Sequence, residues 1–337
     1  MKIAGLTLIL TLSGVLSASM VDEAKKAGFK PIPTDEKELL KLIDNRENPL
    51  NSAKIELGKR LYFEPRLSKS NLISCNTCHN LATGGIDGVE SAVGDGWTTN
   101  PHHLNSPTVY NAVFMDRQFW DGRADNLEAQ AQGPLQAKPE MAISKEMAVE
   151  RISSMDGYRD EFKMAFGDDN ITFKRIADAI GAFERTLVTP SRFDKFLAGD
   201  EQMLNNEEKR GLKVFISKGC SSCHNGVGVG GSMQKFPLLK PYKYASVGDF
   251  KGDKSGMVKT PTLRNILRTA PYFHNGAVWD IREAVEIMGE TQLGVKLSRE
   301  EVDSIVKFFE ALDGELPDVI YPKLPAVTIK TPKPDID

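Results

Sequence analysis

This sequence lacks an excess of basic residues and a run long enough to span a membrane, and it contains few cysteines. Basic residues are not in excess: 43 Lys and Arg face 46 Asp and Glu, so the net charge of −3 gives no indication of a nucleic-acid partner. The apolar run at residues 3–16 is shorter than the roughly 20 residues that a membrane-spanning helix needs. Only four cysteines occur in 337 residues, and their placement therefore carries most of the chemical information.

All four cysteines lie in two copies of a C-x-x-C-H motif. The copies are Cys75-Asn76-Thr77-Cys78-His79 and Cys220-Ser221-Ser222-Cys223-His224. In such a motif the two thiols add to the vinyl groups of a haem, and the adjacent His binds the iron as its proximal ligand. The sequence therefore predicts two covalently attached c-type haems, called here the N-terminal and the C-terminal haem.

Other uses of paired cysteines fit less well. A redox C-x-x-C pair does not need a His directly after it. Two such pairs can supply the thiolates of a structural zinc site, but 141 residues separate Cys78 from Cys220, far from the spacing of a compact zinc ribbon. Two disulfides would require cross-pairing or strain. Covalent haem is the interpretation that uses every residue of both motifs.

The N-terminal residues indicate export. Lys2 precedes the apolar run and Ser17-Ala18-Ser19 offers small residues for cleavage, so we expect a secretory signal peptide at residues 1–19 and not a retained anchor. Cleavage would remove only Lys2 among the charged residues, which leaves 42 against 46 and a net charge of −4. Export agrees with the haem motifs, because bacteria attach c-type haem outside the cytoplasm. We therefore expect a periplasmic protein.

The helical patterns predict a mainly α fold in which the second half repeats the plan of the first. Residues 57–63 and 209–215 are both basic and amphipathic, end in Phe63 and Phe215, and lead toward a C-x-x-C-H motif. Gly-rich segments follow both motifs, and long loops of this kind are usually functional. Helices are expected at about residues 34–43, 52–63, 144–166, 173–187 and 298–314, and one capped by Asn205 or Asn206 should lead directly into the second motif.

Pro190 marks the expected boundary between two domains. The N-terminal domain would comprise residues 20–189 and the C-terminal domain residues 190–337, whose tail from residue 317 carries five prolines. The N-terminal lead and this tail could both cross the boundary. A chain of this length is sufficient for two domains with cores of their own.

Several segments resemble the bacterial dihaem cytochrome c peroxidases. They follow the family's order and span nearly the whole mature chain: residues 74–81 (SCNTCHNL), 105–112 (NSPTVYNA), 119–123 (FWDGR), 271–276 (PYFHNG) and 288–294 (MGETQLG). The resemblance implies two cytochrome c-like domains, each with one covalent haem. It also implies an enzyme that reduces hydrogen peroxide to water with electrons from a small periplasmic donor, either a cytochrome c or a cupredoxin. A homodimer is implied as well.

The resemblance implies roles for both haems. The C-terminal haem would accept electrons, with Met288 as its second axial ligand, because a His/Met pair raises the potential. Trp120 would lie on the electron path to the N-terminal haem, where peroxide is cleaved. There Glu140 would move a proton and Gln130 would orient the peroxide. Without the resemblance, Met288 and Trp120 read as core residues and Glu140 as a solvated loop acid.

The resemblance further implies a calcium site between the domains. Its ligands would be the side-chain oxygen of Asn105 and the backbone carbonyls of Thr269 and Pro271, with water completing the shell.

The sequence departs from the family at one point. Many members have a His in a G-H-x-W context that caps the N-terminal haem, and here Asp95 stands in its place. His102 or His103 could replace that ligand, the iron could be permanently open, or Asp95 could hold a water on it; we favour the last two. Both histidines also read as an exposed loop pair.

Two rival functions stay open at this point. One is a dihaem electron carrier in which both irons have six ligands. The other is the related type of dihaem enzyme that oxidises residues of a partner protein and uses a Tyr ligand, for which Tyr242, Tyr244 and Tyr272 are available. The context of Met288 favours the peroxidase.

Overall fold

The computed structural model describes residues 19–235 and 239–336, and this part of the chain is mainly helical, as predicted. Residues 1–18 of the expected signal peptide lie outside it. No helix within these ranges is both long enough and apolar enough to span a membrane. The helices are α1 (Met20–Lys26), α2 (Glu36–Ile43), α3 (Ser52–Tyr62), α4 (Cys75–Cys78), α5 (Leu127–Gln136), α6 (Lys145–Ser153), α7 (Asp156–Phe166), α8 (Phe173–Glu184), α9 (Arg192–Leu197), α10 (Asn206–Ser217), α11 (Ile281–Gln292) and α12 (Arg299–Ala311).

Helix boundaries follow the capping residues. The side chain of Ser298 accepts a hydrogen bond from the backbone nitrogen of Glu301, and the Glu301 carboxylate accepts one from Ser298, so α12 begins where predicted. The single helix expected at residues 144–166 is instead two helices, α6 and α7. The chain breaks between them because Met155, in extended conformation, is fully buried in the core.

Two pairs of packed helices form the centre of the molecule, α3 with α8 and α10 with α12. Gly58 on α3 lies so close to α8 that a Cβ there would come within 1.9 Å of the Ala179 carbonyl oxygen. Gly211 on α10 meets the Ser304 carbonyl oxygen of α12 in the same way, again at 1.9 Å. A larger residue at either position would push the helices apart.

These two glycines establish the register of the internal repeat. With Gly58 matched to Gly211, Tyr62 corresponds to Phe215, and each ring packs on a phenylalanine of the partner helix, with centroids 5.4 and 5.5 Å apart. The segments compared in the sequence, residues 57–63 and 209–215, are offset from this register by one residue. A loop separates α3 from the first motif, whereas α10 leads almost directly into the second.

Each helix pair is the centre of its own hydrophobic core. The first core draws its buried residues from the chain between Leu57 and Leu187, and most of the second lies between Phe193 and Leu312. The long loops after the haem motifs carry little regular structure. One hairpin, β1 (Met233–Lys235) with β2 (Met257–Lys259), is antiparallel.

The N-terminal lead packs on the second core, not the first. Val21 on α1 and Phe29 after it are buried there, and the Phe29 ring lies edge-on to Phe193 at 5.3 Å. The backbone nitrogen of Ile32 donates to Asp194, which also forms a fully buried ion pair with Arg264 at 2.7 Å. These contacts attach the start of the chain to the C-terminal half.

The C-terminal tail packs in the opposite direction, on the first core. Leu316 and Val319 lie against its buried residues. The ring of Tyr321 contacts that of Phe63 with centroids 4.9 Å apart. The two chain ends therefore cross between the halves, and this exchange joins them.

Candidate active site

One cavity of about 950 Å³ runs between the two halves and reaches both C-x-x-C-H motifs. Cys75, Cys78 and His79 line it on one side, and Cys220 and His224 line it on the other. Cys223 is partly buried beside the cavity without being part of its wall. The structure thus brings together nearly all the residues predicted to attach haem.

In the first motif, one ring nitrogen of His79 stays free to bind a metal. Ser74 and Thr77 form a capping box that starts the short helix α4, and His79 follows directly. Its Nδ1 is 2.9 Å from the carbonyl oxygen of Pro107, so Nδ1 donates there and Nε2 stays available for a metal. Burial lowers the pKa of His79, which favours the neutral form that binds iron.

The second motif repeats this arrangement. His224 is buried, and burial lowers its pKa to about 4. Within the described residues its Nδ1 forms no hydrogen bond of ordinary geometry, but the backbone of Val229 and of Pro261 lies near enough to oppose the lowering of its pKa. Pro261 lines the cavity beside it, at the repeat position of Pro107. A neutral, buried imidazole at the wall of a largely apolar cavity fits a haem ligand.

Met288 lies on α11 and faces the same cavity, together with its neighbours Val285 and Gly289. Val285 and Leu297 belong to the second core, which places this wall in the C-terminal half with His224. Tyr272 also lines the cavity, whereas Tyr242 and Tyr244 do not.

Gln130 and Glu140 line the cavity in the N-terminal half. Gln130 is on α5, and Glu140 follows that helix in a tight turn. Burial raises the pKa of Glu140, and the nearby guanidinium of Arg123 acts in the opposite direction. Glu140 also lies near enough to Cys78 to contribute, after burial and Asp87, to the raised pKa of that thiol. The carboxylate therefore faces the haem-binding space of the first motif.

The loop that carries Asp95 supports Glu140. A Cβ at Gly94 would come within 1.9 Å of the Pro139 carbonyl oxygen, so only glycine permits this approach. The backbone nitrogen of Asp95 donates to the carbonyl oxygen of Glu140 at 2.6 Å. We expected the Asp95 carboxylate on the haem face. It turns instead to Ser70, which donates to it from both backbone nitrogen (3.2 Å) and hydroxyl.

The two loop histidines differ in position. His102 lines the rim of the cavity, but its side chain is 60% exposed and its Nδ1 is 2.9 Å from a carboxylate oxygen of Asp249. His103 has a positive φ of 52° and is not part of the cavity wall.

Two matching backbone hydrogen bonds join the long loop of the N-terminal half to that of the C-terminal half across the cavity. This boundary between the two loops is called the seam. The backbone nitrogen of Asn105 donates to the carbonyl of His274 (2.8 Å), and that of Lys259 donates to the carbonyl of Trp120 (2.9 Å). The same interval of sequence separates Asn105 from Lys259 and Trp120 from His274. The rings of Trp120 and His274 meet edge to face with centroids 6.3 Å apart. Trp120 thus lies at the boundary between the halves.

The three expected calcium ligands all line this seam. The side-chain nitrogen of Asn105 donates to the Val89 carbonyl oxygen at 2.7 Å, which leaves its side-chain oxygen available. The backbone carbonyl of Asn105 accepts from the indole nitrogen of Trp120 at 3.0 Å. Thr269 and Pro271 approach from the other half of the molecule.

Sequence reasoning missed two buried charged residues in the cavity wall. Lys259 is buried, and burial lowers its pKa to about 8. Glu184 is buried at the end of α8. The internal repeat matches Lys259 with Asn105 and Glu184 with Phe309, but the register that shows this comes from the structure.

Two helical halves that share one cavity, each presenting a C-x-x-C-H motif to it, define a dihaem c-type cytochrome. A family profile described as di-haem cytochrome c peroxidase matches residues 52–202. The chain is similar to cytochrome c551 peroxidase of Pseudomonas aeruginosa, with 44% identity over 94% of this chain and 93% of the relative. It is 46% identical to cytochrome c551 peroxidase of Nitrosomonas europaea, over 85% of this chain and 87% of the relative.

Among solved structures, a MauG-like protein associated with microbial copper homeostasis aligns with a TM-score of 0.70 at 27% identity. The alignment covers 80% of this chain and 92% of that one. The chain belongs to the dihaem cytochrome c peroxidase family. It is a peroxidase with two covalently bound c-type haems, and the predicted pair of cytochrome c-like domains is confirmed.

Proposed function

We propose that this peroxidase takes electrons at the C-terminal haem and cleaves hydrogen peroxide at the N-terminal haem. Each turnover would combine peroxide with two electrons and two protons to give two waters. One observation carries the proposal: the shared cavity has Glu140 and Gln130 in its N-terminal wall and Met288 in its C-terminal wall. The N-terminal wall carries side chains suited to proton transfer. The C-terminal wall carries a methionine that would serve as the second protein ligand of its iron, as suits a haem that only transfers electrons.

The N-terminal haem would supply an iron that binds peroxide and passes electrons to it. Glu140 would take a proton from one peroxide oxygen and return it to the other. Burial makes its carboxylate a better base than an exposed one, while Arg123 limits that effect and keeps the ionised form accessible. The Gln130 side chain has no hydrogen-bond partner within the described residues and is available to orient the peroxide.

Electrons would pass between the haems near Trp120. Its ring is buried, lies in the cavity wall at the seam, and contacts His274 from the C-terminal half. The hydrogen bond from its indole nitrogen to Asn105 fixes the ring in place.

We further propose that the iron bound by His79 is open to peroxide without displacement of a protein ligand. Asp95 is bound to Ser70, and His102 is paired with Asp249 at the rim. His103 lies outside the cavity wall. This arrangement supports the open-iron account over a sixth ligand from this loop.

A calcium ion at the seam would be held by Asn105, Thr269 and Pro271. The described residues contain no cluster of three or more His, Cys, Asp or Glu able to hold a metal, so such a site would depend on amide and backbone oxygens. With few protein charges, it would bind calcium with modest affinity. Its role would be to hold the two loop systems in register.

Location and partners are further proposals. Export to the periplasm follows from the signal peptide expected at residues 1–19, and the division into residues 20–189 and 190–337 stays a prediction. The names of the Pseudomonas and Nitrosomonas relatives point to a small c-type cytochrome as donor, with a cupredoxin as the alternative. A homodimer is what the family implies.

A steady-state assay tests the function. Peroxide should be consumed in the presence of a reduced cytochrome c or cupredoxin, with two donor molecules oxidised per peroxide. Oxidation of the donor that stops after two electrons, with no loss of peroxide, would instead identify an electron carrier.

A further inference from the structure

Helices α8 and α12 occupy equivalent places in the two halves, and they differ in one of the residues that they present to the cavity. Gly58 contacts α8 at Ala179, and Gly211 contacts α12 at Ser304. Matching Ala179 with Ser304 makes Ile180 equivalent to Ile305. Both isoleucines line the cavity. One turn further along, the matched residues are Glu184 in the N-terminal half and Phe309 in the C-terminal half, and both again line the cavity.

Glu184 is an unusual residue for this position. Only 6% of it is exposed, and its Oε2 has no hydrogen-bond partner within the described part of the chain. A buried, unpaired carboxylate is costly, whereas the neutral acid is tolerated. Burial, with a smaller effect from the Glu128 carboxylate, raises the pKa of Glu184 to about 8. Phe309, by contrast, is an uncharged core residue.

The ionisable neighbours of Glu184 come from three elements. Tyr62 on α3 and Cys75 in the first motif are both near enough for the Glu184 charge to raise their pKa values, after the larger effect of burial. Cys75 ceases to titrate once haem is attached. Glu128 on α5 is paired with Arg185 at 3.1 Å.

Glu128 belongs to a buried polar cluster that borders the surface loop around Asp44. The side-chain nitrogen of Asn48 donates to Glu128 at 2.9 Å, and Lys54 donates to the Asn48 side-chain oxygen at 2.8 Å. Glu128 also lines a small second cavity of about 160 Å³ together with the exposed loop around Asp44. Solvent in this small cavity would reach Glu128, whose charge acts on Glu184.

We propose that Glu184 holds a proton in the wall of the N-terminal haem cavity and exchanges it with solvent as that haem is reduced and reoxidised. The C-terminal haem, which faces Phe309 at this position, lacks such a site. The proposal requires a haem at each motif, which family membership supplies, but it does not depend on which haem cleaves peroxide.

The exchange follows from charge balance. An electron from the donor protein makes the haem more negative by one charge, which favours the neutral form of a carboxyl nearby. Where Glu184 is ionised beside the oxidised haem, reduction draws one proton from solvent onto its carboxylate, and reoxidation releases that proton. The net change is one electron and at most one proton, and no other reactant is needed.

Redox titration of the complete dihaem protein over a pH series tests the proposal. In the wild type, the potential of the N-terminal haem should fall with rising pH through a window in which Glu184 titrates. The slope should approach about 59 mV for each tenfold change in proton activity. In Glu184→Gln this slope should vanish in that window. The C-terminal haem should give the same pH profile in both proteins.

Two further variants identify the titrating group. Glu140→Gln should keep the slope, because the other carboxyl of this cavity is not its source. Glu128→Gln should move the window to lower pH, since it removes the charge that helps to raise the pKa of Glu184. A slope that persists in Glu184→Gln, one that is lost in Glu140→Gln, or a window unmoved in Glu128→Gln would overturn the proposal.

Discussion

Replacement of Glu140 by Gln should slow peroxide turnover by about 10²–10⁴-fold, the usual contribution of a positioned acid–base group. This range corresponds to about 3–5 kcal/mol of activation free energy. The substitution keeps the size of the side chain and its place beside Gly94, so both haem spectra should persist. Loss of turnover would then report proton transfer and not a loss of cofactor.

The pH dependence provides a sharper test of the same residue. In the proposed mechanism the ionised Glu140 carboxylate is the active base, so turnover should be full above its pKa and fall as the pH drops through it. Burial raises this pKa and Arg123 opposes the rise, so Arg123→Gln should move the acid limb to higher pH. Arg117, paired with Asp125 outside the cavity wall, provides the matched control, and Arg117→Gln should leave the limb in place.

The assay is kcat for peroxide against pH, with donor in excess, for the wild type and the three variants. An acid limb that survives unchanged in Glu140→Gln would show that another group titrates. Unchanged turnover in that variant would remove Glu140 from the mechanism.

Two stability predictions follow from the packing. Gly211→Ala should lower the free energy of unfolding by about 1–3 kcal/mol or more, because the added Cβ would clash with α12. Its control is Lys213→Ala on the exposed face of the same helix, which should change the free energy of unfolding by less than about 0.5 kcal/mol. Asp194→Ala should lower the free energy of unfolding by about 3–5 kcal/mol, because it leaves the charge of Arg264 buried and unpaired. Its control is Asp303→Ala, which breaks an exposed ion pair and should lower the free energy of unfolding by less than about 1 kcal/mol. Denaturant unfolding measures all four, and equal effects within either pair would contradict the reasoning.

Local chemistry was readable from the sequence. The two C-x-x-C-H motifs specify haem attachment within five residues each, and the structure presents both to one cavity. Helices whose ends have capping residues, such as α12 after Ser298, were placed within a few residues. The family resemblance supplied Glu140, Gln130 and Met288, which local sequence alone would not separate from ordinary loop or core residues.

Features that depend on distant contacts were not readable. Asp95 turns from the haem face because Ser70, far away in the sequence, offers it two hydrogen bonds. The packing of α1 on the second core and of the tail on the first is equally non-local. Glu184 stood within a predicted helix as one acid among many, and only its alignment with Phe309 across the repeat reveals its position.

Cyanide binding to the fully oxidised protein tests the central claim most directly. If the iron bound by His79 is open and the iron bound by His224 is closed by Met288, optical titration should show one equivalent of cyanide bound per chain. Met288→Ala should raise this to two equivalents. No binding to the wild type, or binding of two equivalents, would contradict the assignment of one open and one closed haem.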